Sequence, residues 1–231
     1  MNDWLKIKHP RWGESCLLCG APADRNGLCE DCTLDLPWIT LGCEVCGLPL
    51  TAPGVCGHCR SEPGRHPYRI RGVFAYECPV RPLITAFKFH QGLPEGRVLA
   101  SLFATAMAKQ AQTRPHLLVP VPLHDGRLRE RGYNQARILA DALGREMGVA
   151  VQRSGVERIR NTAPQTDVGM GRQRHANMRG AFRCDVDLEG RLVAIVDDVI
   201  TSGATVRALG DALMDCGAAC VVAYGCARTP M

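Results

Sequence analysis

The sequence predicts an α/β protein with a mainly parallel sheet, preceded by a small cysteine-rich module. The chain has 231 residues, of which 46% are hydrophobic, so it can bury a core, and its composition excludes wholesale disorder. From Tyr68 onward, strand-like apolar segments alternate with helical ones, which favours parallel strands joined by helices. Eight of the thirteen cysteines lie between Cys16 and Cys59. We therefore expect a double zinc ribbon over residues 1–65 and the α/β domain over 66–231.

Four segments of the larger domain have apolar residues at helical spacing. Pro79 suits the first turn of a helix, and the apolar residues after it recur every three or four positions. The same pattern fills a second segment, and Gly148 is a helix stop at the end of a third. The expected helices are residues 79–90, 97–112, 134–148 and 204–216.

Five short apolar runs between these helices predict strands. RIRGVFAY opens the domain, and LLVPVP is typical of a short strand that runs into a loop. The expected strands are residues 69–76, 117–122, 149–153, 191–196 and 220–225. In folds of this kind, ligands bind beyond the carboxyl ends of the strands.

The eight clustered cysteines form four C-x-x-C pairs arranged as a repeat. CLLCGAP…GLCEDC is followed 27 residues later by CEVCGLP…GVCGHC, with Gly and Pro at the same offsets. Two thiolates of such a knuckle chelate one ion, and four complete a closed, structural zinc site. Local pairing predicts two Zn²⁺ sites, the first made by Cys16, Cys19, Cys29 and Cys32 and the second by Cys43, Cys46, Cys56 and Cys59.

The repeat does not decide how the pairs combine. A cross-braced arrangement is the alternative to local pairing, and His58 could replace a cysteine in one site. Redox-active pairs and iron–sulfur ligation are the alternatives to zinc. Because the module is poor in large apolar residues, metal binding would replace the core that it lacks. We expect metal removal to unfold residues 1–60 and to spare the larger domain.

Charge and hydropathy limit the compartment and leave the partner open. No apolar run approaches the roughly 18 residues of a spanning helix, and the N-terminus lacks the apolar stretch of a signal peptide. We therefore expect a cytoplasmic protein without membrane insertion, in which reduced thiols make a disulfide scaffold a poor interpretation. The net charge of +5 is compatible with an anionic ligand but does not demonstrate one.

The segment VAIVDDVITSGATV, residues 193–206, combines a buried-looking strand, two acids and a hydroxyl-rich turn. Backbone N–H groups at the start of a helix suit a phosphate, and Gly203 lets the backbone come close. Carboxylates beside such a turn can accept hydrogen bonds from a vicinal diol. These features together predict a receptor for a ribose 5-phosphate at the exposed end of the strand.

The same segment resembles the phosphoribosyl pyrophosphate motif of type I phosphoribosyltransferases. That resemblance implies a phosphoribosyltransferase-like domain in which Asp197 and Asp198, the candidate catalytic acids, hold the ribose hydroxyls. It implies that the loop holds the 5-phosphate, through Thr201, Ser202, Gly203, Ala204 and Thr205. The alternative is an ordinary strand–turn–helix with solvated acids.

A second loop, VPVPLHDGRLRERGYNQA, resembles the corresponding loop of amidophosphoribosyltransferases. The resemblance implies that Pro122, Leu123 and His124 form the tip of the loop, where backbone amides would face the pyrophosphate. Three arginines follow before a helix start, and not all of them can point inward: Arg127, Arg129 and Arg131. A solvated helix face is the alternative for the arginines, and an exposed loop histidine is the alternative to a catalytic His124.

Over nearly its whole length the chain resembles the ComF family, a bacterial group associated with competence and DNA uptake. The order of several motifs carries the resemblance: the double C-x-x-C module, FKFHQG, VPVPLH…RGYNQA, RNTAPQT, NMRGAF and the phosphoribosyl motif. One departure is Phe89, where a tyrosine is common. The resemblance implies binding of phosphoribosyl pyrophosphate with Mg²⁺ and a role in DNA uptake, with other DNA-uptake proteins as possible partners.

A basic stretch over residues 158–183 carries six arginines against one acid, Asp167. Its arginines, among them Arg172, could close over a bound substrate, grip the backbone of single-stranded DNA, or form a solvated face. Lys88 and His90 could likewise face the site or lie on a helix surface.

Two classes of function remain open from the sequence. One is a Mg²⁺-dependent phosphoribosyltransferase with an unidentified acceptor. The other is a non-catalytic factor that binds single-stranded DNA or senses a phosphate or nucleotide and only keeps the fold.

Overall fold

A five-stranded parallel sheet forms the centre of the molecule. The computed structural model describes residues 15–24, 26–89, 92–160 and 180–230. The strands are β1 (Arg69–Ala75), β2 (Leu117–Pro120), β3 (Ala150–Val151), β4 (Val156–Arg158), β5 (Phe182–Cys184), β6 (Leu192–Ile200) and β7 (Cys220–Arg228). The large sheet has the order β1–β7–β6–β2–β3, and every neighbouring pair in it is parallel. β4 and β5 form a separate antiparallel pair.

Helices cover both faces of this sheet. They are α1 (Glu30–Leu34), α2 (Gly57–Ser61), α3 (Val80–Phe89), α4 (Leu93–Gln110), α5 (Asp125–Arg131), α6 (Gln135–Met147) and α7 (Ala204–Asp215). The helices α3, α4 and α6 share one core with Ala194 and Val196 of β6. The other core joins α7 and the β4–β5 pair to Val193 and Ile195. Successive side chains of β6 therefore serve opposite cores, as strand geometry requires.

The strand order creates a crevice at the carboxyl end of the sheet. From β2 the chain proceeds outward to β3 at one edge, and from β6 it proceeds to β7 in the other direction. Since β2 and β6 are neighbours, the loops that follow them diverge at a topological switch point, where ligands bind in open α/β sheets.

The cysteine-rich module packs along the free edge of β1. The backbone N–H of Ile39 donates to the carbonyl of Val73 over 2.8 Å, and Ala75 donates to Pro37 over 2.8 Å. Trp38 packs on Phe74 with ring centroids 4.5 Å apart. The module thus covers a strand edge that would otherwise be open for pairing.

The predicted fold class is confirmed, but several elements differ from the prediction. α1 and α2 were not predicted, and β7 continues to Arg228 rather than ending at residue 225. β6 does not end at residue 196 but continues to Ile200, so both acids lie inside a strand rather than beyond it. The second loop contains a short helix, α5, because His124 caps it and Gly132 ends it at φ 77°. The β4–β5 pair was not predicted, because its strands have only three residues each. Among the described residues, no helix has both the length and the hydropathy to cross a bilayer.

Candidate functional site

Asp197 and Asp198 lie near the carboxyl end of β6, one of the two strands that flank the switch point. Both are partly exposed, and strand alternation sends them to opposite faces of the sheet. A carboxylate oxygen of Asp197 accepts a hydrogen bond of 2.9 Å from the backbone N–H of Asp198. The acids are therefore adjacent but have different surroundings.

Lys88 is the partner of Asp198. Its Nζ lies 2.9 Å from Asp198 Oδ1, and the two side chains are only 21% and 13% exposed. Burial alone would lower the pKa of Lys88, but Asp198 and Asp197 outweigh it and the net shift is upward. Of the two placements open for Lys88, the structure has the one that faces the acids.

The environment of Asp197 disfavours a negative charge on its carboxyl group. Burial and the neighbouring Asp198 carboxylate raise the pKa of Asp197 to about 7, although Lys88 and Arg158 act in the opposite direction. The environment of Asp197 therefore disfavours its charged form. A cation or a set of hydroxyl donors would stabilise that form.

The end of α3 is anchored so that Lys88 reaches the acids. The carbonyl of Phe87 accepts a hydrogen bond of 2.6 Å from the hydroxyl of Tyr133 and another of 3.2 Å from Nε2 of Gln135. Sequence reasoning did not assign Tyr133 and Gln135 any role. Both residues belong to the RGYNQA motif, which was noted in the sequence, and both donate hydrogen bonds to Phe87 in the FKFHQG segment.

The turn after β6 has the features of an anion-binding loop. Gly203 has φ 78°, and the backbone enters α7 directly after it. Ser202 Oγ accepts a hydrogen bond of 3.4 Å from the N–H of Ala204, Thr201 is exposed, and Thr205 is partly exposed. The N–H of Ala204 is thus already paired, whereas the next N–H groups of the first turn have no intrahelical acceptor and can donate to a phosphate.

The loop after β2 places its predicted residues in two groups. Pro122 and Leu123 line a cavity of about 330 Å³ together with Arg137 and Gln152. His124 is a helix cap, because its Nδ1 accepts a hydrogen bond of 3.2 Å from the N–H of Gly126.

The arginines of α5 differ in exposure. Arg129 is exposed, whereas Arg131 is partly buried and lies over the ring of Phe89, 5.0 Å from its centroid. Arg131 Nη1 also donates to Gln135 Oε1 over 3.3 Å. Arg131 therefore lies beside the end of α3 that carries Lys88. Arg172 and His90 lie outside the described residues.

The eight paired cysteines form two separate tetrads with local pairing. The sulfurs of each tetrad lie within 4.8 Å of one another, so the cross-braced alternative and the replacement by His58 are not what the fold contains. The tetrads are Cys16, Cys19, Cys29 and Cys32 (the first tetrad) and Cys43, Cys46, Cys56 and Cys59 (the second tetrad).

The sulfur positions fit tetrahedral zinc. The separations of 3.6 Å for Cys19–Cys29 and 3.7 Å for Cys46–Cys56 match the roughly 3.8 Å expected when four thiolates each lie about 2.3 Å from one Zn²⁺. The N–H of Cys56 donates to Cys43 Sγ over 3.3 Å, as in a metal-binding knuckle. When bound there, zinc supplies cross-links to a module with little core of its own.

Comparisons with known proteins match the N-terminal module to a family and find relatives of nearly the whole chain. Residues 9–60 match the family of the double zinc ribbon domain. The chain is 32% identical to the DNA utilization protein YhgH of Salmonella typhimurium over 230 residues, 97% of this chain and 93% of that protein. It is 32% identical to competence protein F of Haemophilus influenzae over 212 residues, 88% of this chain and 91% of that protein.

Similarity to solved structures is weaker. Glutamine phosphoribosylpyrophosphate amidotransferase from B. subtilis, complexed with ADP and GMP, is 17% identical with a TM-score of 0.40 over 58% of this chain and 27% of that chain. A score this low does not by itself establish a shared fold.

Fold and site together define a parallel α/β protein with an N-terminal double zinc ribbon. Its family follows from relatives that match nearly the whole chain. The chain belongs to the ComF family of competence and DNA utilization proteins.

Proposed function

We propose that the crevice between β2 and β6 binds a ribose 5-phosphate donor, phosphoribosyl pyrophosphate or a related compound, together with Mg²⁺. The observation that carries the proposal is the combination at one strand end of Asp197, Asp198 and the Gly203 turn. Acids suit hydroxyl groups and a hard divalent cation, while unpaired amides suit a phosphate.

Each part of the crevice has one task in this proposal. Amides and hydroxyls of residues 201–205 hold the 5-phosphate, and Asp197 and Asp198 accept hydrogen bonds from the ribose hydroxyls. The loop that begins at Pro122 and Leu123 faces the pyrophosphate, and Arg131 and Arg172 add positive charge. Mg²⁺, when bound, offsets the charge of the pyrophosphate.

The proposed biological setting is DNA uptake or utilization, which is what the names of the relatives describe. Transfer of the ribosyl group to an acceptor would make the chain a phosphoribosyltransferase. Binding of the donor without transfer would make it a sensor that acts with single-stranded DNA or with other DNA-uptake proteins.

Isothermal titration with phosphoribosyl pyrophosphate and Mg²⁺ tests the proposal. The wild-type chain should bind, and Asp197→Asn together with Asp198→Asn should weaken binding by about two to four decades, since each bond to a charged group is worth about 1.5–3 kcal/mol. Thr205→Val removes one phosphate donor at nearly constant volume and should weaken binding without affecting the acids. Wild-type affinity in the double variant would contradict the proposal.

A further inference from the structure

Arg228, the last residue of β7, is a fully buried cation. Its exposed fraction is 0%, and no carboxylate of the described residues forms an ion pair with it. Backbone carbonyls surround it instead. Its Nε donates to Cys46 over 2.9 Å, and its Nη1 donates to Ile200 over 3.0 Å, to Thr229 over 3.1 Å and to Thr201.

These bonds connect two sites that are far apart in sequence. Cys46 belongs to the second tetrad. Ile200 ends β6, and Thr201 is the first residue of the phosphate loop, residues 201–205. One guanidinium therefore holds the end of β6 and a zinc knuckle in a fixed relation. Arginine suits this role because its planar fork donates in several fixed directions at once.

The zinc-bound second tetrad would also provide negative charge close to the Arg228 guanidinium. Four thiolates around one Zn²⁺ leave a net negative charge. Because Nε of Arg228 donates to the carbonyl of Cys46, one of these four ligands, the guanidinium lies beside that charge. A buried cation without a compensating charge is strongly destabilising, so the zinc site stabilises the arginine that holds the loop.

The contact between the second knuckle and the sheet is close. Ile70 of β1 donates from its N–H to the carbonyl of Val45 over 2.9 Å. Gly47 has φ 66°, and a Cβ at this position would lie 2.9 Å from the carbonyl oxygen of Ile70. Only glycine fits there, so the knuckle cannot shift without moving β1.

The first tetrad contacts a different part of the molecule. A Cβ at Gly27, within its loop, would lie 2.9 Å from Val98 of α4, and Ser101 of α4 donates to Asn26 over 2.8 Å. This surface is on the α3–α4 side. In the part of the chain that the structure describes, no hydrogen bond joins the first tetrad to the phosphate loop.

We propose that Arg228 is a positioning residue for the phosphate loop, and that zinc in the second tetrad, unlike zinc in the first, keeps this loop in the geometry that binds phosphate. The consequence for ligand binding rests on the proposed function, whereas the coupling between zinc and loop order does not. The second tetrad is then part of the ligand site as well as part of the N-terminal module.

Two matched cysteine variants test the proposal. Cys59→Ala and Cys19→Ala each leave three thiolates, in the second and first tetrad respectively. Metal analysis confirms the loss of one zinc from each chain. Hydrogen exchange of the amides of residues 201–206 should accelerate at least about tenfold in Cys59→Ala, and should stay within about twofold of wild type in Cys19→Ala. Equal exchange in the two variants would overturn the proposal.

Arg228→Lys provides a second variant that keeps both tetrads and the positive charge. Lysine has a single ammonium group and cannot reach the same set of carbonyls in fixed directions. The variant should retain two zinc ions and show faster exchange at residues 201–206, and unchanged exchange would overturn the proposal even if Cys59→Ala fails to fold.

Ligand titration separates this inference from the function on which it rests. Phosphoribosyl pyrophosphate with Mg²⁺ should bind Arg228→Lys and Cys59→Ala about tenfold or more weakly than Cys19→Ala, the equivalent of one lost charge-assisted bond. If the wild-type chain does not bind this compound, the proposed function fails, and the exchange measurements alone decide the role of Arg228.

Discussion

Asp197 and Asp198 show how one residue of offset along a strand gives two carboxylates different chemistry. Asp198 faces α3 and is held by Lys88 at 2.9 Å. Asp197 has the opposite face and a pKa raised to about 7 by burial and by its neighbour. Sequence reasoning identified both residues but placed them at an exposed strand end. It could not show the asymmetry, because Lys88 lies more than a hundred positions away in the chain.

The raised pKa of Asp197 predicts a stability profile that changes with pH. A carboxylate with a higher pKa in the folded than in the unfolded chain binds more protons when folded, so its ionisation destabilises the fold as pH rises from about 4 to about 7. Asp197→Asn removes this loss. The melting temperature of the variant, relative to wild type, should therefore be higher at pH 8 than at pH 5 in thermal unfolding.

A surface variant controls for the loss of one negative charge. Asp187 is exposed, and Asp187→Asn should shift the melting temperature by the same small amount at both pH values. If Asp197→Asn behaves like Asp187→Asn, Asp197 does not have the environment described here.

The Lys88–Asp198 pair predicts a measurable coupling energy. Both side chains are mostly buried, so either single variant, Lys88→Met or Asp198→Asn, leaves a charge poorly solvated. Chemical unfolding of the two single variants and the double variant should give a coupling of about 1–3 kcal/mol. The matched control is the Arg65–Glu62 pair, whose glutamate is 60% exposed, and its coupling should be about 0–1 kcal/mol. Equal couplings would mean that the Lys88 pair is solvated.

At the scale of elements, period and composition predicted every strand of the parallel sheet and the four long helices. They succeeded because each of these elements buries a repeating apolar face, as the pairs Ala194–Val196 and Val193–Ile195 do in β6. They failed for the short helices α1, α2 and α5 and for the β4–β5 pair. Those elements are short, α5 depends on a cap at His124, and β4 and β5 each depend on a partner strand distant in sequence. The ligand contacts of residues 201–205 stay a prediction.

In the phosphate loop, we expect any side chain at Gly203 to lower the free energy of unfolding considerably. The residue has φ 78°, and a Cβ there would lie 2.9 Å from Nδ1 of the buried His66. Gly203→Ala should therefore destabilise the chain by more than the roughly 1–2 kcal/mol of a left-handed conformation alone. Gly190→Ala is the control, since Gly190 has φ 69° and open space around it. Chemical unfolding should rank Gly203→Ala as the more destabilised, and the opposite order would mean that His66 does not confine the loop.

The whole molecule is held together across the boundary that the sequence suggested near residue 65. The module supplies hydrogen bonds to β1 through Ile39 and Pro37, and its second knuckle bonds to Arg228 at the end of β7. The module covers the edge of β1 and helps to enclose the buried guanidinium of Arg228. If the module unfolded, an unpaired sheet edge and a poorly compensated buried cation would remain, and both are unfavourable. From composition alone, we expected the module to unfold by itself and to leave the larger domain intact. These contacts argue against that expectation.

Zinc removal therefore has a predicted effect on the entire chain. The purified protein should contain two zinc ions, because each of its two tetrads fits one. With zinc bound, calorimetry should show one unfolding transition, since module and sheet stabilise each other. A strong chelator should lower the melting temperature of the α/β domain itself and reduce the protection of β1 and β7 against hydrogen exchange. Loss of the second tetrad exposes the edge of β1 and removes the Cys46 carbonyl that holds Arg228. Unchanged protection of β1 and β7 after both ions are removed would show that the α/β domain is independent of the module, and fewer than two ions per native chain would show that one tetrad is incomplete.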